Sequence, residues 1–397
     1  MKTYDWLVIG GGITGTALGY ELSKQGFSVL LLEQAQNPDS ATRYSYGGLP
    51  YWSGTSPLTN RLCREGIACH RNLSEDLEGD TEFRELGVLL TIDSEDDPGA
   101  IASSTRLFEI AESYTQFEIS PQLLTVAEAC EREPLLNPRA IAGALQLPHG
   151  HINPIQTNLA YLQAFQRLGG EVKIERVVSL NRQEDRATGV QTTHQTYHAA
   201  NIAVCAGGLS RALLKEIGIE VRLYFTHAEL IETPPVELQL NTLIMPAVVE
   251  RFALEERASQ PGFDELWNRP NCEIVPPILD PGGVQFKDGH LCLGQLSRTL
   301  SNPFAPVDAA ASEEKLRRAI AHLLPPLAQL PGTWHHCLVA FSNNSLPLVG
   351  KLDKIEGIYL FSGFTSTLLF APPLAKHFAR WANGEDNDLI AQLSFNH

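Results

Sequence analysis

No run of basic residues, no Cys-x-x-Cys pair and no unbroken apolar stretch of bilayer length occurs in this chain of 397 residues. Its 30 Lys and Arg stand against 46 Asp and Glu, a formal net charge of -16, and the basic residues are scattered. A surface of that sign repels nucleic acid and anionic membranes. Seven cysteines, an odd number without paired spacing, read as reduced thiols and not as a disulfide framework or an iron–sulfur site. No metal site is expected. The longest apolar stretch, 358–375, is broken by Gly363, Pro372 and Pro373, so no membrane-spanning segment is expected. An apolar strand begins within five residues of Met1, with no charged-then-apolar leader ahead of it, and the expected location is the cytoplasm. With 43% hydrophobic and 19% charged residues, the chain can bury one large core or two ordinary ones, and its length favours two domains.

What the chain has is a glycine fingerprint at its start. Trp6-Leu-Val-Ile9 reads as a strand, Gly10-Gly-Gly-Ile-Thr-Gly15 as the turn after it, and Ala17, Leu18, Glu21 and Leu22 follow at helical spacing. Gly26 stops that helix, Val29-Leu-Leu-Leu32 is a second strand, and Glu33 ends it. Gly10 allows the tight turn, Gly12 lets the backbone approach a pyrophosphate, and Gly15 lets helix and sheet pack closely. Gly12, Ile13 and Thr14 open the helix, where unpaired N–H groups and the positive end of the dipole favour phosphate. Glu33 stands where a carboxylate accepts hydrogen bonds from both ribose hydroxyls of an adenosine.

Further along, Pro57 to Leu77 reads as a helix, 87–92 as a strand, and 103–114 as a helix with another starting near Ala127. A turn at Pro148-His-Gly-His-Ile-Asn-Pro154 precedes an amphipathic helix through Leu159, Leu162 and Phe165. Asn201-Ile-Ala-Val-Cys-Ala206 is an apolar strand that rejoins the first sheet. Residues 221–333 alternate short strands with Pro-rich turns and one helix, Ser312 to Leu324. The chain closes with a strand at 358–362, a Gly363-Phe-Thr-Ser-Thr367 loop and a helix expected to begin at Pro372 or Pro373. The expected architecture is α/β: a Rossmann-like dinucleotide domain (1–85, 149–220 and 334–397) with an inserted mixed α+β domain on an antiparallel sheet (86–148 and 221–333).

This plan resembles the D-amino-acid oxidase-like family of flavoproteins, which holds sarcosine oxidases, glycine oxidases and D-amino-acid dehydrogenases. The resemblance spans nearly the whole chain. It rests on the fingerprint with Glu33, the loop Ala41-Thr-Arg-Tyr-Ser-Tyr-Gly-Gly48, Gly150-His-Ile-Asn-Pro154, Val204-Cys-Ala-Gly-Gly-Leu-Ser210, Ser345-Leu-Pro-Leu-Val-Gly350 and Gly363 to Pro372. It implies FAD as cofactor and a small amine or amino acid as electron donor. In agreement, no second Gly-x-Gly-x-x-Gly follows a strand, so a nicotinamide nucleotide has no seat of its own. Thr42, Arg43, Ser45, Gly47 and Gly48 are expected to close over the pyrophosphate and flavin ring. By position in the family, Val178 offers backbone groups to the adenine, and Ala206-Gly207 passes close to the cofactor. Gly363, Thr365, Ser366, Thr367 and Leu368 are expected at the pyrimidine side of the flavin, where a helix start stabilises negative charge; the same residue types also make a plain helix cap.

Cys337 falls at the flavin-linked cysteine of covalent sarcosine oxidases, and His335 and His336 beside it would lower its pKa; a buried thiol is the alternative. On the substrate side the chain departs from the family. Val339 and Phe370 occupy the positions where an Arg or a Lys clamps a substrate carboxylate. Arg43, Arg222, Arg251 and Arg298 are replacement candidates, and His227 is a candidate substrate contact or base. The expected function is FAD-dependent oxidation of a C–N bond by hydride transfer, with oxygen or a quinone as electron acceptor. Oxidation of a 2-hydroxy acid, or a catalytically degenerate flavin-binding sensor or assembly protein, are the alternatives.

Overall fold

The computed structural model describes residues 2–94, 100–353 and 355–393. The apolar run at the N-terminus forms β1 (Thr3–Ile9), followed by α1 (Ile13–Lys24) and β2 (Val29–Glu33). β1 and β2 pair in parallel from Trp6 opposite Val29 to Ile9 opposite Leu32. Both strands are buried on both faces, which is why they read as continuous apolar runs instead of alternating. The long helix α2 (Pro57–Asp76) is capped by Ser56 and Thr59, each side chain bonding the other's backbone N–H. β3 (Glu171–Ile174) adds to β2 in parallel, and β4 (Thr196–Val204) adds to the other side of β1. The strands 177–183 and 186–192 form an antiparallel extension from β4.

The chain then builds a second sheet with β5 (Leu223–Glu232), β6 (Leu291–Arg298), α3 (Ala309–Leu323) and β7 (Thr333–Ser342). Its order is β7, β5, β6, then 278–285, 243–246, 88–93, 141–147 and 122–124. All neighbours are antiparallel except 243–246 with 88–93. The boundary expected at 334 falls inside β7, whose residues 333–342 all pair with β5, so this strand belongs to the second sheet. Two more helices, Glu250–Ala258 and the single turn Asp264–Trp267, occupy the stretch expected to hold one. Beneath β5 lies a buried ion pair. Glu229 is fully buried and bonds Arg298 of β6 at 2.6 Å; Trp334 Nε1 donates to the same carboxylate at 3.2 Å. The Arg298 guanidinium also donates to Ser312 of α3 at 3.2 Å, tying helix to sheet.

β8 (Ile358–Ser362) returns to the first sheet parallel to β4, and α4 (Thr367–Ala382) covers it. The five parallel strands therefore stand in the order β3, β2, β1, β4, β8, with direction of travel reversing between β1 and β4. α4 begins five residues earlier than Pro372, so both prolines lie inside it. Without N–H groups they leave the carbonyls of Leu368 and Leu369 without their helical partners. α2 supplies the remedy on one face. Buried His70 donates from Nε2 to the Leu368 carbonyl at 2.7 Å, and Gly66, one turn earlier, lets α2 approach so closely that a Cβ there would lie 2.4 Å from the Leu369 oxygen.

Candidate active site

A cavity of about 450 Å³ crosses the carboxyl ends of the parallel strands. At the β2 side it is bordered by Glu33, Gln34 and Arg176 to Val178. Its middle runs over Gly10, Gly12 and Thr14 after β1 and over Ala206 and Gly207 after β4. At the β8 side it ends among Gly363, Phe364, Thr367 and the β7 residues Leu338 to Ala340. The point where strand order reverses is where open α/β sheets bind ligands, because the loops after β1 and β4 diverge there.

The floor fits a dinucleotide pyrophosphate. Gly12 precedes α1 in extended conformation with no side-chain cap, so the helix start keeps N–H groups for a ligand. One is already used: Ile13 N–H donates to the Thr42 hydroxyl at 3.1 Å, which fastens the 41–48 loop over the helix start. A Cβ on Gly10 would lie 2.5 Å from the Cys205 carbonyl oxygen, and one on Gly15 1.9 Å from that of Gly10, so no side chain fits at either. Gly15 thus acts through packing and is not on the cavity surface. Glu33 accepts Gly11 N–H at 2.6 Å through one oxygen and Ala35 N–H at 3.2 Å through the other. Each oxygen keeps a lone pair for a ribose hydroxyl.

Gly10, Gly12, Ile13, Thr14, Glu33, Thr42, Val178, Ala206, Gly207, Gly363 and Thr367 all border the cavity, whereas the other candidates stand apart from it. Arg43 forms an ion pair with Glu232 at 3.1 Å and lies over the ring of Tyr44, itself stacked on His335. Ser45 accepts Gly47 N–H at 3.3 Å, and Gly48 pairs with His151 in a short antiparallel ladder. Thr365 donates to the Ser345 carbonyl at 2.8 Å, Ser366 precedes α4 as its cap residue, and Leu368 is buried in the core beneath it. His227 is fully buried and donates from Nε2 to the Asn302 carbonyl at 3.2 Å. Burial, with His336 stacked beside it, lowers its pKa to about 4, and it does not reach the cavity, so it is not placed to act as base. Cys337 is buried as well. Burial pushes its thiol up to about 12 despite the neighbouring histidines, which disfavours the activated thiolate expected there.

Sequence reasoning missed most of the far wall. Leu338 and Ala340 flank Val339 on β7, and Phe304 reaches the rim from the loop after β6. The residues around Val339 could have been taken with it; an aromatic in an Asn-Pro-Phe-Ala-Pro loop gives no signal. Phe370, by contrast, faces the core and not the cavity.

A glycine cradle at the strand-order reversal, an acid at the end of β2 and a second sheet closing the far end together define a dinucleotide-dependent oxidoreductase. The sequence pattern described as "FAD dependent oxidoreductase" matches residues 5–381, and the chain belongs to that family. It is similar to glycine oxidase of Geobacillus kaustophilus, 24% identical over 93% of this chain and 90% of that one. It is also similar to 4-methylaminobutanoate oxidase (formaldehyde-forming) of Paenarthrobacter nicotinovorans, 24% identical over 94% of this chain, which spans 43% of that protein. The crystal structure of the Geobacillus glycine oxidase superposes with a TM-score of 0.80 at 20% identity, covering 100% of both chains. That of L-proline dehydrogenase from P. horikoshii gives 0.75 at 16% identity over 99% and 97%. The protein is an FAD-dependent oxidoreductase. Among the described residues no helix is long and apolar enough to cross a membrane, and no His, Cys, Asp and Glu cluster could hold a metal ion.

Proposed function

We propose that the protein oxidises a small amine or amino acid at the carbon bonded to nitrogen. FAD, when bound, supplies the acceptor for a hydride from that carbon. The observation that carries the reading is the single cavity joining the glycine cradle to the β7 wall, so that one ligand held at α1 ends beside a second compound held at the wall.

Within that arrangement the chain's own residues have separate tasks. N–H groups at the start of α1 hold the pyrophosphate, and Glu33 orients the adenosine ribose. The start of α4 at Thr367 presents the positive end of a helix dipole to the β8 end of the cavity, favouring negative charge that develops there. Leu338, Val339, Ala340 and Phe364 keep water from the reacting carbon. No histidine or lysine borders the cavity among the described residues, and hydride transfer from an amine that arrives neutral needs no protein base. Oxygen or a quinone then takes up the two electrons.

The test is the visible spectrum of the FAD-loaded protein, without oxygen, as amines, amino acids and 2-hydroxy acids are added singly. Bleaching by an amine or amino acid is expected. Bleaching by hydroxy acids alone, or by none of the three, overturns the reading.

A further inference from the structure

The β8 end of the cavity carries no charged side chain. Toward β7 its surface comes from Leu338, Val339 and Ala340, with Leu209 and Phe364; Ser362, Gly363 and Thr367 line the side where the start of α4 faces the flavin, and Phe304 stands at the rim with 67% of its surface exposed. Of the charged residues that border the cavity, Glu33, Asp39, Glu175 and Glu216 are acids. Arg176 is the one base among the described residues, and it sits beside Val177 at the adenosine end.

The arginines that could reach in from elsewhere are already engaged. Arg43 is held by Glu232 at 3.1 Å, and Arg298 by the buried Glu229 at 2.6 Å. Arg251 pairs with Glu255 at 3.2 Å, and Arg222 donates to the Ser259 carbonyl at 2.7 Å. Arg84 donates to the Gln285 carbonyl and toward His151. Withdrawing any of them would leave its partner unsatisfied, and for Glu229 the partner is a fully buried charge. A substrate carboxylate brought to the β7 wall would therefore lose its water without gaining a cation. An alkyl group there loses nothing and buries apolar surface.

We propose that the compound oxidised here is an amine whose non-reacting part is apolar and which carries no carboxylate. The inference rests on the amine-oxidising reading above and deepens it. In the step, the C–H bond beside nitrogen breaks and its hydride passes with the electron pair to FAD, while a C=N bond forms. Water then adds to that bond and releases a carbonyl compound and the shorter amine. Oxygen or a quinone takes the two electrons.

The experiment compares matched probes on the FAD-loaded full chain without oxygen: N-methylpentylamine against 5-(methylamino)pentanoate, and N-methylethylamine against sarcosine. The rate of flavin bleaching divided by the dissociation constant is expected to favour each carboxylate-free amine at least about a hundredfold, because a buried charge without a partner is strongly rejected. Val339→Arg, which restores a cation to the wall, should narrow or reverse that preference. Phe304→Ser should weaken binding of N-methylpentylamine about fivefold, with the FAD spectrum unchanged. If sarcosine or the pentanoate bleaches the wild-type flavin as well as its partner, the inference is wrong and the amine-oxidising reading stands. If none of the four bleaches it, both fall. Should Val339→Arg fail to hold FAD, the wild-type comparison and Phe304→Ser decide alone.

Discussion

The cradle after β1 and β4 and the apolar wall on β7 border one cavity, but they answer to different constraints. In the cradle, backbone meets backbone: Gly15 faces the Gly10 carbonyl and Gly10 faces the Cys205 carbonyl, and neither contact leaves room for a side chain. On the wall, side chains meet a ligand, and any residue of similar volume preserves the fold. The first region is specified by geometry that every dinucleotide site of this shape must satisfy. The second is specified by whatever compound is oxidised, so it is free to differ among proteins with the same architecture.

Substitution within the cradle is expected to have the largest effect. Gly15→Val should abolish FAD binding and cost at least about 3 kcal/mol through overpacking, read as loss of the visible flavin band and an earlier urea midpoint. A stable yellow variant would show that the cradle tolerates more than its contacts allow. Next comes the support behind the wall. Glu229→Ala should destabilise by about 3–5 kcal/mol, since it strands Arg298 in the interior, and Glu229→Leu combined with Arg298→Met should recover most of that loss in thermal unfolding.

The third prediction concerns acid. Burial holds His70 near 4 and His149 and His151 near 3, all below the usual imidazole value near 6.5. Between those values the unfolded chain binds protons that the folded one does not. Their contribution is therefore complete above pH 6.5 and is lost as the pH falls toward 4 and then 3. Urea unfolding at pH 7.5 and 5 should show the decline, and His70→Leu should make it shallower while costing about 1–3 kcal/mol by leaving the Leu368 carbonyl unpaired. The smallest effect is expected from Glu232→Gln. Its half-exposed pair with Arg43 is worth about 1 kcal/mol or less. Releasing Arg43 should leave FAD binding intact, as checked by flavin titration, and improved binding of sarcosine would mean that the guanidinium can reach the cavity once freed.

The cradle was legible because each residue type there has one physical use. Gly10, Gly12 and Glu33 could be assigned from spacing, Val178 and Ala206-Gly207 from position in the family, and all border the cavity; of the 41–48 loop residues expected beside them only Thr42 does. Arg43 and His227 misled because ionisable residues also serve structure. What decides between an ion pair and a ligand contact is the partner, and Glu232 and Asn302 lie far from them in sequence. Cys337 misled for a related reason: His336, next to it along the strand, points to the opposite face, and although His335 shares its face, burial governs the thiol. The start of α4 was misplaced because a proline usually marks a helix's first turn. Here His70 and Gly66, three hundred residues upstream, accommodate two prolines further in.

That accommodation also divides the cavity into still and moving parts. With the Leu368 carbonyl bonded to α2 and the Leu369 carbonyl pressed against it, α4 can neither slide along its axis nor turn about it without breaking contacts on a neighbouring helix. The β8 end of the cavity, where α4 starts, behaves as an anvil. Whatever opening admits and releases a substrate falls to the opposite side, to the edge strand β7 and the Phe304 loop. In hydrogen exchange, amides late in α4 should be among the slowest in the protein, and those flanking Phe304 among the fastest.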